Sequence, residues 1–218
     1  SKIAAEAKTY DEAYNSIVES LNKMGLDYLD LMIIHSPEPW AEFRGEKRYF
    51  EENKEVWRAL ETAYKEGKLK AIGVSNFLKD DLENILSSCK IKPMVNQILT
   101  HISNTKKELI DFCKEHDILV EAYSPIAHGA ALKNETIKQM AEKYNVSVAQ
   151  LCIRYVLELG LVALPKASTK EHIIDNSKVD FEISEDDMKI LKNMETIENY
   201  GNDDFFPVFS GKNQKDNK

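Results

Sequence analysis

The chain is poor in cysteine. It has three in 218 residues, Cys89, Cys113 and Cys152, none in a CxxC pair or beside a histidine. An odd, scattered set excludes a disulfide framework and gives no sign of zinc or another metal; it suits free core thiols in a reducing compartment. No stretch approaches the ~18 consecutive apolar residues of a membrane span, and no segment has signal-peptide character. The expected location is therefore the cytoplasm. Positive charge is also scarce: 29 Lys and Arg stand against 37 Asp and Glu, a net charge of -8 spread along the chain. That balance argues against nucleic acid and against anionic membrane surfaces as partners. There is no tandem repeat, low-complexity block or linker, and no GxGxxG.

What is present is a strict alternation of apolar runs and helical periods. Helices are expected over 10–24 (apolar at Ala13, Ile17, Leu21 and Met24, closed by Gly25), 53–66, 78–89, 105–116, 134–144, 146–159, 170–177 and 185–195. Strands are expected at "DLMIIH" (30–35), "LKAIGVS" (69–75), "PMVNQIL" (93–99), "ILVEAYSP" (118–125) and "LVALPKAS" (161–168). Such alternation implies right-handed βαβ units and a parallel sheet. The runs "RGEKRYFEENKE" and "SEDDMK" read as solvated faces, Cys113 and Cys152 as small hydrophobes, and "SGKNQKDNK" as a disordered end.

The stretch "DLMIIHSPEP" asks why a strand buried on both faces should stop on a histidine. The other strands answer in kind: they end on Ser75-Asn76, Asn96-Gln97, Tyr123-Ser124 and Lys166. An open Rossmann-type sheet gathers its ligand at one or two strand ends after a glycine-rich turn. Polar side chains at the carboxyl end of every strand are instead what a (β/α)8 TIM barrel presents on its catalytic face. Five strands are visible, and the first helix needs a further strand ending near Ser1-Lys2. The expected fold is an α/β (β/α)8 barrel lacking its first two strands and most of the third. Residues 1–200 form the barrel and 201–218 a carboxyl-terminal tail. The chain opens on Ser1 rather than methionine, as a processed or partial sequence would.

Each candidate has a plainer reading. His35 could be a satisfied core histidine, Ser75-Asn76 helix caps, Gln97 a tie for loop backbone, and Tyr123 core. Lys166 could be a surface residue or a Schiff-base lysine of a lyase barrel. Against the lyase, Ser168-Thr169 follow and can cap a short helix whose amides suit a phosphate.

From Ser1 to about Glu195 the chain resembles the aldo-keto reductases. "GLDYLDLMIIHSP" is similar to the family's segment before its active-site histidine, and "GKLKAIGVSNF" to one of its signatures. "NQILTH", "EAYSPIA" and "LPKASTKEHIIDN" follow in the family's order and spacing. The resemblance implies metal-free hydride transfer between NADPH and the carbonyl of a small aldehyde or ketone. A complete barrel is expected to be a monomer, and the unpaired edges of a truncated one to favour self-association. It assigns His35 to orienting the carbonyl, and Lys2 to lowering the pKa of a tyrosine acid. Ser75, Asn76 and Gln97 would bond the nicotinamide amide, and Tyr123 would stack on its ring. Ser124, Ile126 and His128 would close over the pyrophosphate. Lys166, Ala167, Ser168 and Thr169 would hold the 2′-phosphate, and Asp175 and Asn176 would face the adenine.

Three departures accompany the resemblance. The family's catalytic tyrosine and aspartate fall upstream of Ser1, so these 218 residues alone are expected to be inactive. His172 stands where many NADPH-dependent members carry arginine; an imidazole offers less charge to a phosphate, which admits NADH as a second cofactor. Ser36 replaces the tryptophan common after the histidine. The alternative function is a non-catalytic cofactor-binding or regulatory protein of the same fold.

Overall fold

The computed structural model describes residues 1–198, 200 and 207–209. They fall into two compact units. The first comprises Ser1–Gln97 and Glu108–Leu119; the second comprises Ile98–Lys107 and the described residues from Val120 onward.

In the first unit, β1 (Lys2–Ile3), β2 (Leu29–Ile34), β3 (Leu69–Ser75) and β4 (Val95–Leu99, whose last two residues open the second unit) pair in parallel and in chain order. The strand expected to end near Ser1-Lys2 is therefore present as β1. Met32, Ile33 and Ile34 are buried, as are Ile72 and Val74, which is why these runs are nearly all hydrocarbon. The register sets Ile3 beside Ile34, Ile34 beside Val74 and Ser75 beside Gln97. The polar residues closing the strands are thereby brought level. Gly73 is required for this: a Cβ there would lie 2.6 Å from the carbonyl oxygen of Val95, so only a hydrogen lets β3 and β4 approach.

Helix α1 (Tyr10–Met24) has the expected limits because both ends are chemically marked. Thr9 and Glu12 form a reciprocal capping box, and Gly25 ends the helix at φ 65°. Helix α2 (Phe50–Lys65) starts three residues earlier than its apolar period suggests. Glu51 and Glu52 occupy that extra turn, where the helix dipole favours acids. Helix α3 (Lys79–Leu86) is shorter than expected and leaves Cys89 beyond its end, whereas α4 (Lys107–Glu115) keeps Cys113 buried.

In the second unit β5 (Leu119–Tyr123, which begins in the first unit) pairs in parallel with β6 (Val162–Leu164), Tyr123 opposite Leu164. Asn134 caps α5 (Glu135–Lys143), and Ser147 and Gln150 box the start of α6 (Val148–Glu158). Thr169 caps α7 (Lys170–Asn176), and Ser184 caps α8 (Glu185–Lys192). Short 3-10 segments occur at Trp40–Glu42, Ala127–Lys133 and Pro207–Phe209. The disorder expected of "SGKNQKDNK" concerns 210–218, outside the described residues.

One sequence expectation fails. The run "RGEKRYFEENKE" is not simply a solvated face, because the Arg44 side chain is only 8% exposed and pairs with Glu38 and Asp81, both 0% exposed. Opposite charges distant in sequence neutralise one another there, which composition alone does not reveal. Asp187 of "SEDDMK" is likewise buried, accepting bonds from Lys143, Tyr144 and Ser184.

Candidate active site

In the first unit, the structure joins five of the expected site residues. Lys2 on β1 donates its ammonium to the Gln97 side-chain oxygen. Ser75 Oγ donates to the Gln97 carbonyl at 2.8 Å, and the Asn76 backbone N–H donates to the same oxygen at 3.0 Å. Asn76 Nδ2 donates to the His35 carbonyl at 3.0 Å and to Ser75 Oγ at 3.2 Å. Neither Ser75 nor Asn76 caps α3; the Asp81 carboxylate does, accepting from the Leu78 N–H at 2.9 Å. Asn76 has φ 61°, a left-handed conformation that costs energy in a residue with a β-carbon. Four hydrogen bonds at one strand end oppose that cost.

His35 follows β2, its N–H bonded to the Ile3 carbonyl at 3.0 Å. Its ring is half-buried. Burial, aided by the nearby Lys2 charge and opposed by Glu6, pulls the imidazole pKa down to about 4. The ring is thus neutral at physiological pH and holds one donor nitrogen and one acceptor nitrogen. An ammonium and a neutral imidazole at adjacent strand ends form a constellation that can polarise and orient a carbonyl oxygen.

Two features of this unit escaped the sequence reading. The Trp40 ring meets His35 edge-on, centroids 5.0 Å apart, and continues to Phe43 at 5.4 Å. Ser36 is buried and accepts from the Glu38 N–H, so an indole from four residues later lies against the histidine instead. Lys8 is buried too, donating to the Pro37 carbonyl at 2.9 Å and Asn53 Oδ1 at 3.0 Å. Burial, opposed by Glu38 and other carboxylates, pulls its pKa down to about 8. A Pro-x-Pro-Trp sequence hinted at the first; nothing local marks the second.

In the second unit, Tyr123 ends β5, half-buried, with the Phe209 ring edge-on at 6.4 Å. Ser124, Ile126 and His128 lie in the turn that follows. Ser124, Ala127 and His128 take φ of 52°, 48° and 51°, an unusual concentration of left-handed residues with side chains. Burial and the Lys166 charge lower the His128 pKa. Lys166, Ser168 and Thr169 are exposed after β6, and Ala167 is half-buried. His172 is exposed on α7, its N–H bonded to Thr169 Oγ1 at 3.2 Å. Asp175 is committed to the start of α6: its carboxylate accepts from Ser147 Oγ at 2.9 Å and Gln150 Nε2 at 3.0 Å. Asn176 is half-buried at the end of α7.

Residues 1–196 match the model of the Aldo/keto reductase family. This chain is an aldo-keto reductase. It is 43% identical over 202 residues to glyoxal reductase of Bacillus subtilis, a match covering 92% of this chain and 69% of the relative. Among solved structures it resembles an aldo-keto reductase from a Medee basin deep-sea metagenome library, with TM-score 0.80 and 36% identity over 92% of this chain and 73% of that one. A silkworm (Bombyx mori) aldo-keto reductase solved as its NADPH complex superposes with TM-score 0.78 and 29% identity, over 89% of this chain and 63% of that one. The six parallel strands and their helices are accordingly part of the α/β (β/α)8 fold of these reductases. No described helix is long and apolar enough to cross a membrane.

The residues of this aldo-keto reductase fit a nicotinamide amide. That group presents two N–H donors and one carbonyl acceptor; the serine hydroxyl and the two carboxamides at 75, 76 and 97 offer both kinds of partner. The left-handed turn at Asn76 keeps that side chain at the strand end.

Proposed function

We propose that this aldo-keto reductase reduces the carbonyl of a small aldehyde or ketone with NADPH. The single observation that carries the reading is the hydrogen-bonded group Lys2, His35, Ser75, Asn76 and Gln97, supplied by four adjacent parallel strands. Bound NADPH supplies the hydride. The chain's own residues bind and orient the two reactants. Ser75, Asn76 and Gln97 hold the nicotinamide amide and so fix which ring edge faces the substrate. The neutral His35 imidazole donates a hydrogen bond to the carbonyl oxygen, aligning it and favouring the negative charge that develops there. The Lys2 ammonium adds a positive charge that eases proton loss from a neighbouring hydroxyl acid.

In the second unit, Tyr123 offers a ring face for the nicotinamide, and Ser124, Ile126 and His128 the turn for the pyrophosphate. Lys166, Ala167, Ser168 and Thr169 serve the 2′-phosphate; His172 beside them leaves room for NADH. Asp175 and Asn176 serve the adenine, Asp175 through α7 geometry because its carboxylate is already bonded. The acidic balance supports a protein without nucleic-acid or anionic-membrane partners, and the free cysteines support a reducing compartment such as the cytoplasm. The assay is NADPH oxidation by the full-length protein with glyoxal or methylglyoxal, followed by absorbance. Turnover that saturates in both reactants supports the reading; NADPH binding without turnover would favour the regulatory alternative.

A further inference from the structure

The loop between β2 and α2 carries a ring of ion pairs, three of its four members buried and Arg48 part-exposed, that the hydride-transfer reading does not use. Arg44 Nη1 pairs with Asp81 at 3.2 Å, and Arg48 Nη2 bonds the other Asp81 oxygen at 2.8 Å. Arg48 Nε lies 3.3 Å from Glu38, whose second oxygen accepts the Arg44 backbone N–H at 3.3 Å. Both cations and one anion belong to the loop; the other anion, Asp81, caps α3. The second guanidinium arm of Arg44, Nη2, leaves the ring and donates to the Asn76 carbonyl at 2.7 Å.

We propose that Arg44 is a positioning residue for this site: its fork holds the left-handed Asn76 peptide in place and thereby locks the loop bearing Trp40 to the strand end that receives the nicotinamide amide. The part concerning nicotinamide rests on the NADPH reading above; the part concerning Asn76 does not.

Three considerations support it. Left-handed backbone at a non-glycine residue persists only where surrounding contacts over-determine it, and the Arg44 guanidinium supplies one such contact at the Asn76 carbonyl. Only a guanidinium has two rigid arms that serve a carboxylate and a peptide oxygen at once; a lysine ammonium is a single point of charge on a flexible stem. Buried ion pairs add little net stability over apolar substitutes, so the burial of Arg44 with Glu38 and Asp81 is better explained by the geometry it imposes than by stability. Asn76 also bonds the His35 carbonyl, so the same clamp reaches the residue that faces the substrate oxygen.

The test uses the full-length protein and the variant R44K, which keeps the buried positive charge that Glu38 and Asp81 need for folding but loses the fork. Two ligands are titrated, NADPH and 2′-phospho-ADP-ribose, which lacks the nicotinamide. Hydrogen exchange at the Asn76 amide is followed without ligand. R44K should weaken NADPH roughly tenfold, the loss of one charge-assisted hydrogen bond, while the fragment binds unchanged; exchange at Asn76 should rise by a similar factor. Equal weakening of both ligands, or exchange at Asn76 equal to wild type, overturns the proposal. If wild type itself binds NADPH no tighter than the fragment, the nicotinamide reading of Asn76 fails instead, and the exchange measurement alone decides whether Arg44 clamps that peptide. Should R44K not fold, R44Q combined with D81N removes the charge together with its partner; exchange at Asn76 should again exceed wild type, and exchange equal to wild type contradicts the clamp.

Discussion

The Asn76 side-chain amide donates to the backbone carbonyl of His35 at 3.0 Å. The bond joins the ends of two adjacent parallel strands, one closing on a residue suited to a cofactor amide and the other on a residue suited to a substrate oxygen. A shift of either end moves both, so on the proposed reading the relative placement of the two reactants is built into the sheet register rather than left to side-chain rotamers.

The division of labour between these residues is open to mutation. Replacing His35 with Ala removes the imidazole but leaves the carbonyl that Asn76 uses. Aldehyde kcat/KM should fall by roughly 10²-fold, the scale of one lost polar contact to the reacting oxygen, while the dissociation constant for NADPH changes little. Steady-state kinetics with a fluorescence titration of NADPH separates the two; parallel losses would mean that His35 is structural.

Acid should act through histidine. Burial pulls both His35 and His101 down to about 4; at His101 a bond to the Ile102 carbonyl opposes this and the His128 charge assists it. Because these folded-state values lie below the ~6.5 of an unfolded histidine, the unfolded chain takes up protons first as pH falls. The stability associated with them is complete above ~6.5 and is lost progressively toward pH 4. Urea unfolding at pH 7 and pH 5 should show the lower midpoint at pH 5. Imidazole NMR titration should find two histidines without an inflection near neutrality. A His35 signal that titrates near 6.5 would contradict a neutral orienter.

Sheet spacing makes a third prediction. Gly73→Ala places a methyl 2.6 Å from the Val95 carbonyl oxygen and 2.9 Å from the Val95 Cβ. Overpacking of this kind costs about 1–3 kcal/mol, and here it also pushes β4 from β3, displacing Gln97 from Ser75. The unfolding midpoint and NADPH affinity should both drop; a variant with wild-type values in both would show that the strands can part without consequence.

Much of this was legible in the sequence because its signals are local. Thr9, Glu12 and Gly25 mark α1 to the residue, and the apolar runs ending on His35, Asn76 and Gln97 mark the strand ends that the register then aligns. The ring of Arg44, Arg48, Glu38 and Asp81 was not legible. Its burial depends on an acid 37 residues from Arg44, and a charge run reads the same whether its partner is water or a carboxylate. Trp40 was missed for a related reason: a loop's path, not its composition, carries the indole back to His35. Asp175 read as an adenine contact from its place in the motif, yet the structure ties its carboxylate to α6.

Cofactor preference gives a fourth prediction. His172 is exposed on α7, close in sequence to Lys166, Ser168 and Thr169. Exchanging it for arginine adds a permanent charge and a planar fork suited to phosphate. The ratio of kcat/KM with NADPH to that with NADH should rise several-fold, about the value of one charge-assisted contact. An unchanged ratio would place residue 172 away from the 2′-phosphate.

The most direct measurement is a crystal structure of the full-length protein with NADPH bound. The nicotinamide amide should lie within hydrogen-bonding distance of the Ser75, Asn76 and Gln97 side chains, with His35 facing the open side. A nicotinamide bound elsewhere, or an ordered adenosine half with these three side chains untouched, would contradict the account.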